Sequence, residues 1–170
     1  MEKLSLETLN ALAPGAFVSL LGGIYEHSPW VAGAVVGKRP FAASRDLIDA
    51  MRAAVDQADE SARLALIRAH PDLAGKLAIA GKLSEASAGE QAGLGLDRLS
   101  PDEFARFQEM NSAYRARHGF PFVICARLTD KPGILEAFAR RTRAETCGEA
   151  ATAISEIHQI ARLRLLDLLE

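Results

Sequence analysis

The sequence predicts an all-α protein, a single compact domain of about eight to ten helices. Three observations predict it. Ala, Leu, Arg and Glu recur at three- and four-residue spacing along the chain, strict apolar/polar alternation over strand length is rare, and several periodic stretches begin with residues suited to helix capping. With 170 residues, 49% hydrophobic and 25% charged, the chain is long enough to bury a core without disulfide staples. No linker rich in Pro, Gly or Ser divides it, and no segment repeats another.

The spacing places helices at 5–12, 16–26, 30–36, 44–57, 60–69, 72–80, 85–94, 101–117, 132–143 and 148–168. The start at Ser100-Pro101-Asp102-Glu103 has a physical reason at each position: an N-cap hydroxyl, a proline whose missing N–H is not needed there, and a glutamate able to bond back to the cap. Gly119, which tolerates a left-handed backbone, and Pro121, which cannot continue a helix, stop helix 101–117. The apolar run 120–126 then reads as buried extended or irregular chain. In the last helix, Ala150, Ile154, Ile157, Ala161, Arg164 and Leu168 form a buried stripe, while Ser155, His158, Gln159 and Arg162 share a solvated side. A buried arginine keeps its charge, so Arg164 requires a carboxylate, a cluster of carbonyls or a ligand facing it.

Composition excludes several functions. The formal net charge is −2 and the basic residues are scattered, so no stripe exists to neutralise phosphates and nucleic acid is not an expected partner. The longest apolar runs fall far short of the roughly 20 residues of a membrane helix, so no membrane association is expected. A chain beginning Met-Glu-Lys, without an apolar leader, and ending Asp-Leu-Leu-Glu, unlike a peroxisomal address, points to the cytoplasm. Cys125 and Cys147 are far apart in sequence and lack histidines at metal spacing, so neither a disulfide nor a metal site is expected. Cys125, within an apolar run, reads as a buried small hydrophobe.

His70 is the most informative candidate. In His70-Pro71-Asp72-Leu73 it stands at a junction where one helix is discouraged by the following proline and another can begin. The positive end of that next helix would keep the imidazole neutral and able to exchange a proton; the alternative is that His70 only caps it. Ser87 and Glu90 match the spacing of a capping box, the reading that spacing alone favours. The same residues, with Gln91 and Leu94, also share one helical face, where Gly89, Ala92 and Gly93 would let a ligand or another segment approach. His118 suits the last carbonyls of its own helix, and Trp30 reads as core.

In combination, Glu26-His27-Ser28-Pro29-Trp30, Arg39-Pro40-Phe41, His70-Pro71-Asp72-Leu73-Ala74, Ser87 with Glu90-Gln91, Asn111 with Tyr114, Gly119-Phe120-Pro121-Phe122-Val123-Ile124-Cys125 and Leu163-Arg164-Leu165 resemble one family, the 2-oxo-4-hydroxy-4-carboxy-5-ureidoimidazoline (OHCU) decarboxylases of uric acid breakdown. The resemblance runs in order from about residue 14 to the C-terminus. It implies an all-helical homodimer that forms (S)-allantoin without metal or organic cofactor. It further implies catalytic roles for His70 and Glu90, and a ligand pocket lined by Pro71, Ser87, Gln91, Arg164 and the segment Phe122, Val123 and Ile124. The stretch 142–149 departs from the family's usual loop. Two alternatives stay open: a related helical enzyme acting on another ureide ring, and a helical interaction module without catalysis.

Overall fold

The computed structural model describes residues 3–75 and 83–170. Among them are nine α-helices and no sheet: α1 (Leu6–Ala11), α2 (Pro14–Leu21), α3 (Trp30–Val35), α4 (Ser44–Asp56), α5 (Glu60–Arg68), α6 (Glu85–Ala92), α7 (Pro101–His118), α8 (Lys131–Arg141) and α9 (Thr146–Leu168). The all-α expectation holds. The chain forms two compact units, one made of the residues up to Ala69 with His158–Glu170, the other of His70–Ile157, so the division falls within α9.

In the first unit, α4 buries Leu47, Met51 and Val55 at four-residue spacing, on the same face turn after turn. With Phe17, Leu21, Val31, Ile67 and Leu165 they build the core, each large side chain contributing about 1.5–3 kcal/mol by leaving water. The Asp46 carboxylate accepts the Ala43 N–H at 3.0 Å, and Asp59 accepts the Ala62 N–H at 2.8 Å, closing the starts of α4 and α5. After α2, His27 takes a left-handed backbone (φ 47°), and the Ser28 hydroxyl donates to Glu26 O at 3.0 Å. The adjoining Glu26 side chain is 2% exposed.

In the second unit, α7 begins with the reciprocal box expected: the Glu103 N–H donates to Ser100 Oγ at 3.2 Å and the Ser100 N–H to Glu103 Oε2 at 2.9 Å. It ends at Gly119 in the left-handed region (φ 79°). The chain 120–126 is buried and non-helical until a 3-10 turn at Ala126–Leu128, as read from its sequence. Phe122 stacks on Phe138 at 3.8 Å and meets Tyr114 edge-on at 5.2 Å.

Several expectations are corrected. Helix α2 stops at Leu21 rather than 26, where Gly22 and Gly23 follow. Residues 72–75 form a turn, and the rest of the expected helix 72–80 lies outside the described residues. Trp30 is 38% exposed, not core. His118 serves another helix: its Nε2 donates to Arg141 O at the end of α8 (3.0 Å), and its Nδ1 shares a hydrogen bond with Thr146 Oγ1 at the start of α9 (3.2 Å). His158, assigned to the solvated side, is buried between Tyr25 (hydroxyl to Nδ1, 2.9 Å) and Asp56 (Nε2 to Oδ1, 3.0 Å), whereas Ser155, Gln159 and Arg162 are exposed as expected. The reason is the width of the buried arc on α9, which takes in His158 beside Ile157 and Ala161. Among the described residues no helix is long and apolar enough to cross a membrane.

Candidate active site

His70 opens the second unit and is 6% exposed. The residues after it are fixed by side chains rather than by helix. The Ala74 N–H donates to Gln91 Oε1 at 2.9 Å, Gln91 Nε2 donates to Asp72 O at 3.4 Å, Gln108 Nε2 to Ala74 O at 3.0 Å and Asn111 Nδ2 to Leu73 O at 2.8 Å. Arg115 closes a two-point pair on the Asp72 carboxylate, Nε at 3.0 Å and Nη2 at 2.9 Å. Ala74 is left-handed (φ 50°), a conformation an alanine holds only when its surroundings dictate it. Gln91 on α6 and Gln108, Asn111 and Arg115 on one face of α7 are those surroundings.

The cap of α6 is Ser84, whose hydroxyl accepts the Ser87 N–H at 3.2 Å. The capping-box reading of Ser87 and Glu90 is therefore overturned: Ser87 lies inside the helix, and its hydroxyl is not the N-cap. The single-face reading survives, since Ser87 and Gln91 are buried and Glu90 and Leu94 half-buried. Gly89, Ala92 and Gly93 are exposed.

Helix α6 packs against the 3-10 turn that ends the Phe122, Val123, Ile124 segment. Burial pushes the Cys125 thiol up, helped by the Glu156 charge and to a smaller extent by that of Glu90. The segment is held on two sides. Glu156 Oε2 accepts the Cys125 N–H at 2.8 Å, and Arg141 Nη1 donates to Val123 O at 2.8 Å while its guanidinium lies 4.4 Å from the Phe122 ring centre. Arg141 in turn pairs with Glu149 through Nε and Nη2, both at 2.6 Å, and Glu149 accepts the Tyr114 hydroxyl at 2.5 Å. Burial and the Glu149 carboxylate raise the Tyr114 phenol far above its ordinary range, so it stays a donor.

The second unit thus holds His70, half-buried Pro71, Ser87, Glu90, Gln91 and the segment Phe122 to Ile124. The structure joins Gln91 directly to the turn after His70. Arg164 is in the first unit, where Nη1 donates to Glu26 Oε2 at 2.8 Å and to Gly23 O and Ile24 O at 3.3 and 3.5 Å. A carboxylate and a cluster of carbonyls, two of the three partners the sequence allowed, face it here. Sequence reasoning missed Asn111, Gln108 and Arg115 as supports of the turn and Arg141 with Glu149 as supports of the segment. The three- and four-residue spacing of Gln108, Asn111 and Arg115 on α7, and of Arg141 with Ile134, Ala137 and Phe138 on α8, was the available signal. Among the described residues no group of three or more His, Cys, Asp or Glu side chains could hold a metal ion.

Known proteins match this arrangement over nearly its whole length. A decarboxylase of 2-oxo-4-hydroxy-4-carboxy-5-ureidoimidazoline from Haloferax volcanii is 41% identical over 167 residues, 98% of this chain and 97% of that protein. The protein of the same name from Mus musculus is 40% identical over 161 residues, 95% and 90% of the two chains. The crystal structure of an (S)-allantoin synthase superposes with a TM-score of 0.78 at 30% identity, covering 98% of this chain and 54% of that one, so this chain spans about half of it. A crystal structure of OHCU decarboxylase in the presence of (S)-allantoin, 22% identical, shares the fold with a TM-score of 0.66 over 82% of this chain and 89% of that one. With the family model for OHCU decarboxylase matching residues 10–166, the chain belongs to the OHCU decarboxylase family.

Proposed function

We infer that the protein is a carboxy-lyase that converts OHCU to (S)-allantoin in uric acid degradation. The observation that carries the reading is the Ser87, Glu90 and Gln91 face of α6, tied through Gln91 to the turn after His70, in a chain of this family. The match of one family model across 10–166 also supports treating the chain as a single functional domain. We extend the reading to a cytoplasmic homodimer that needs no metal or organic cofactor.

The substrate supplies its own electron sink. When the bond from C4 to its carboxylate breaks, CO2 leaves and the electron pair forms a C4=C5 double bond. The C5=N pair moves to the ring nitrogen, which takes a proton. Loss of the C4 hydroxyl proton and addition of a proton at C5 then give the C4 carbonyl and the new stereocentre of allantoin. The protein must hold the carboxylate, handle the hydroxyl proton and deliver the C5 proton to one face. We assign proton transfer to His70, orientation of the hydroxyl and the histidine to Glu90, and pocket lining to Pro71, Ser87, Gln91 and the Phe122, Val123, Ile124 backbone. Gln91 also fixes the turn. Arg164 is assigned an anchoring role for substrate carbonyls on the family match alone. The apolar Phe120 to Phe122 wall keeps water from the leaving carboxylate.

The test follows allantoin optical activity by circular dichroism while uric acid is oxidised and hydrolysed in situ to OHCU. Wild-type protein gives rapid growth of an (S)-allantoin signal, whereas His70→Asn, still folded, loses about 10²–10⁴-fold in rate. A trace identical to the uncatalysed one with folded wild-type protein rules out the decarboxylase reading.

A further inference from the structure

Asn111 is 4% exposed and lies on the face of α7 that supports the turn after His70. Its amide orientation is fixed by chemistry, because Leu73 O accepts and only the NH2 end can donate to it at 2.8 Å. The carbonyl end, Oδ1, is therefore directed away from Leu73, and it is a buried acceptor with no hydrogen-bond partner among the described residues. Gln108, one turn earlier on the same face, donates to Ala74 O and stands half-buried beside the same turn. A buried acceptor without a partner is costly to keep, and a function that uses it explains its retention.

We propose that Asn111 is a positioning and substrate-binding residue, fixing the Leu73 backbone through Nδ2 and accepting an N–H of the bound ureide through Oδ1. Imidazoline ureides present several N–H donors on the ring and the ureido arm, and an acceptor on a rigid helix selects one orientation of them. The inference rests on the ureide reading of the preceding section. It differs from the role of Gln108, which supports the turn from a half-buried position.

Two readouts test it: steady-state kinetics on OHCU generated in situ, and the rise in melting temperature on adding (S)-allantoin. Asn111→Ala is expected to raise KM at least tenfold and to abolish most of the allantoin-induced shift, because both report the lost acceptor. Gln108→Ala is expected to lower kcat with KM held within about threefold, since only the turn is loosened. Asn111→Ser serves where the alanine variant fails to fold, with the same expected rise in KM. An Asn111 variant that folds and keeps wild-type KM and the wild-type allantoin shift overturns the proposal, even if its kcat falls. Wild-type protein that neither turns over OHCU nor responds to allantoin overturns the ureide reading, and the inference goes with it.

Discussion

Arg141 and Arg164 are both buried guanidiniums facing a buried glutamate, one in each unit, yet they hold their partners differently. Arg141 hydrogen-bonds through two nitrogens, Nε to Glu149 and Nη1 to Val123 O, with Nη2 close to the same Glu149 oxygen but without a hydrogen bond, and with the guanidinium over Phe122. The bonds from Arg164 to Glu26, Gly23 and Ile24 run through the single atom Nη1, and two of them are long, at 3.3 and 3.5 Å. The first is a bracket whose geometry demands the planar fork of arginine. The second sets a positive charge against a buried carboxylate. Arg141 is thus built for architecture.

The largest expected effect follows from removing the bracket. Arg141→Ala leaves Glu149 charged, buried and held only by the Tyr114 hydroxyl among these partners, and should cost about 3–5 kcal/mol in urea denaturation. Activity should fall with it, because Val123 O and the Phe122 ring lose their support. A variant within 1 kcal/mol of wild type, on the order of an exposed pair, would falsify the structural role.

A sharper contrast uses lysine at both positions. Arg141→Lys keeps the charge but cannot reach Glu149 and Val123 O together, so it should cost about 1.5–3 kcal/mol, the worth of hydrogen bonds to a charged group. Arg164→Lys can still place a point charge beside Glu26 and should cost less than Arg141→Lys. Its KM should nevertheless rise, since an ammonium does not reproduce a guanidinium toward substrate carbonyls. Equal stability losses in the two lysine variants would mean that the difference in bonding geometry carries no energetic weight.

The two arginines also show what a sequence displays. Arg164 stands alone in a long stripe of Ile157 and Ala161, so its burial is legible and its need for a carboxylate, a cluster of carbonyls or a ligand follows. Arg141 sits in Arg140-Arg141-Thr142-Arg143, which looks like an ordinary basic helix end, and only the spacing Ile134, Ala137, Phe138, Arg141 separates it from exposed Arg140. Helix positions and the cap at Ser100 were legible because each rests on local backbone chemistry. The Asp72 to Ala74 turn was not, because a left-handed alanine is stabilised by Gln91, Gln108 and Asn111, which are 17 to 38 residues away. Local propensity contains no trace of such partners.

The smallest expected effect is a pH dependence that separates the two buried networks. In the first unit burial holds His158 below the ordinary histidine range, opposed by the hydrogen bond and charge of Asp56, with Arg52 adding a small lowering; Tyr25 faces its other nitrogen. A histidine with a depressed folded value binds its proton at higher pH in the unfolded chain. Its contribution to stability is therefore full above about pH 6.5 and declines as the pH falls from there through the folded value. Wild type should lose more of its urea midpoint between pH 7.5 and 5.5 than His158→Gln, in which no ring can charge. Carboxylates elsewhere titrate alike in both proteins, so the difference between the two curves isolates His158. A difference that stays constant across that range would show that the ring is as easily protonated in the fold as outside it, and the Tyr25 to His158 to Asp56 chain would then be tolerant of an imidazolium.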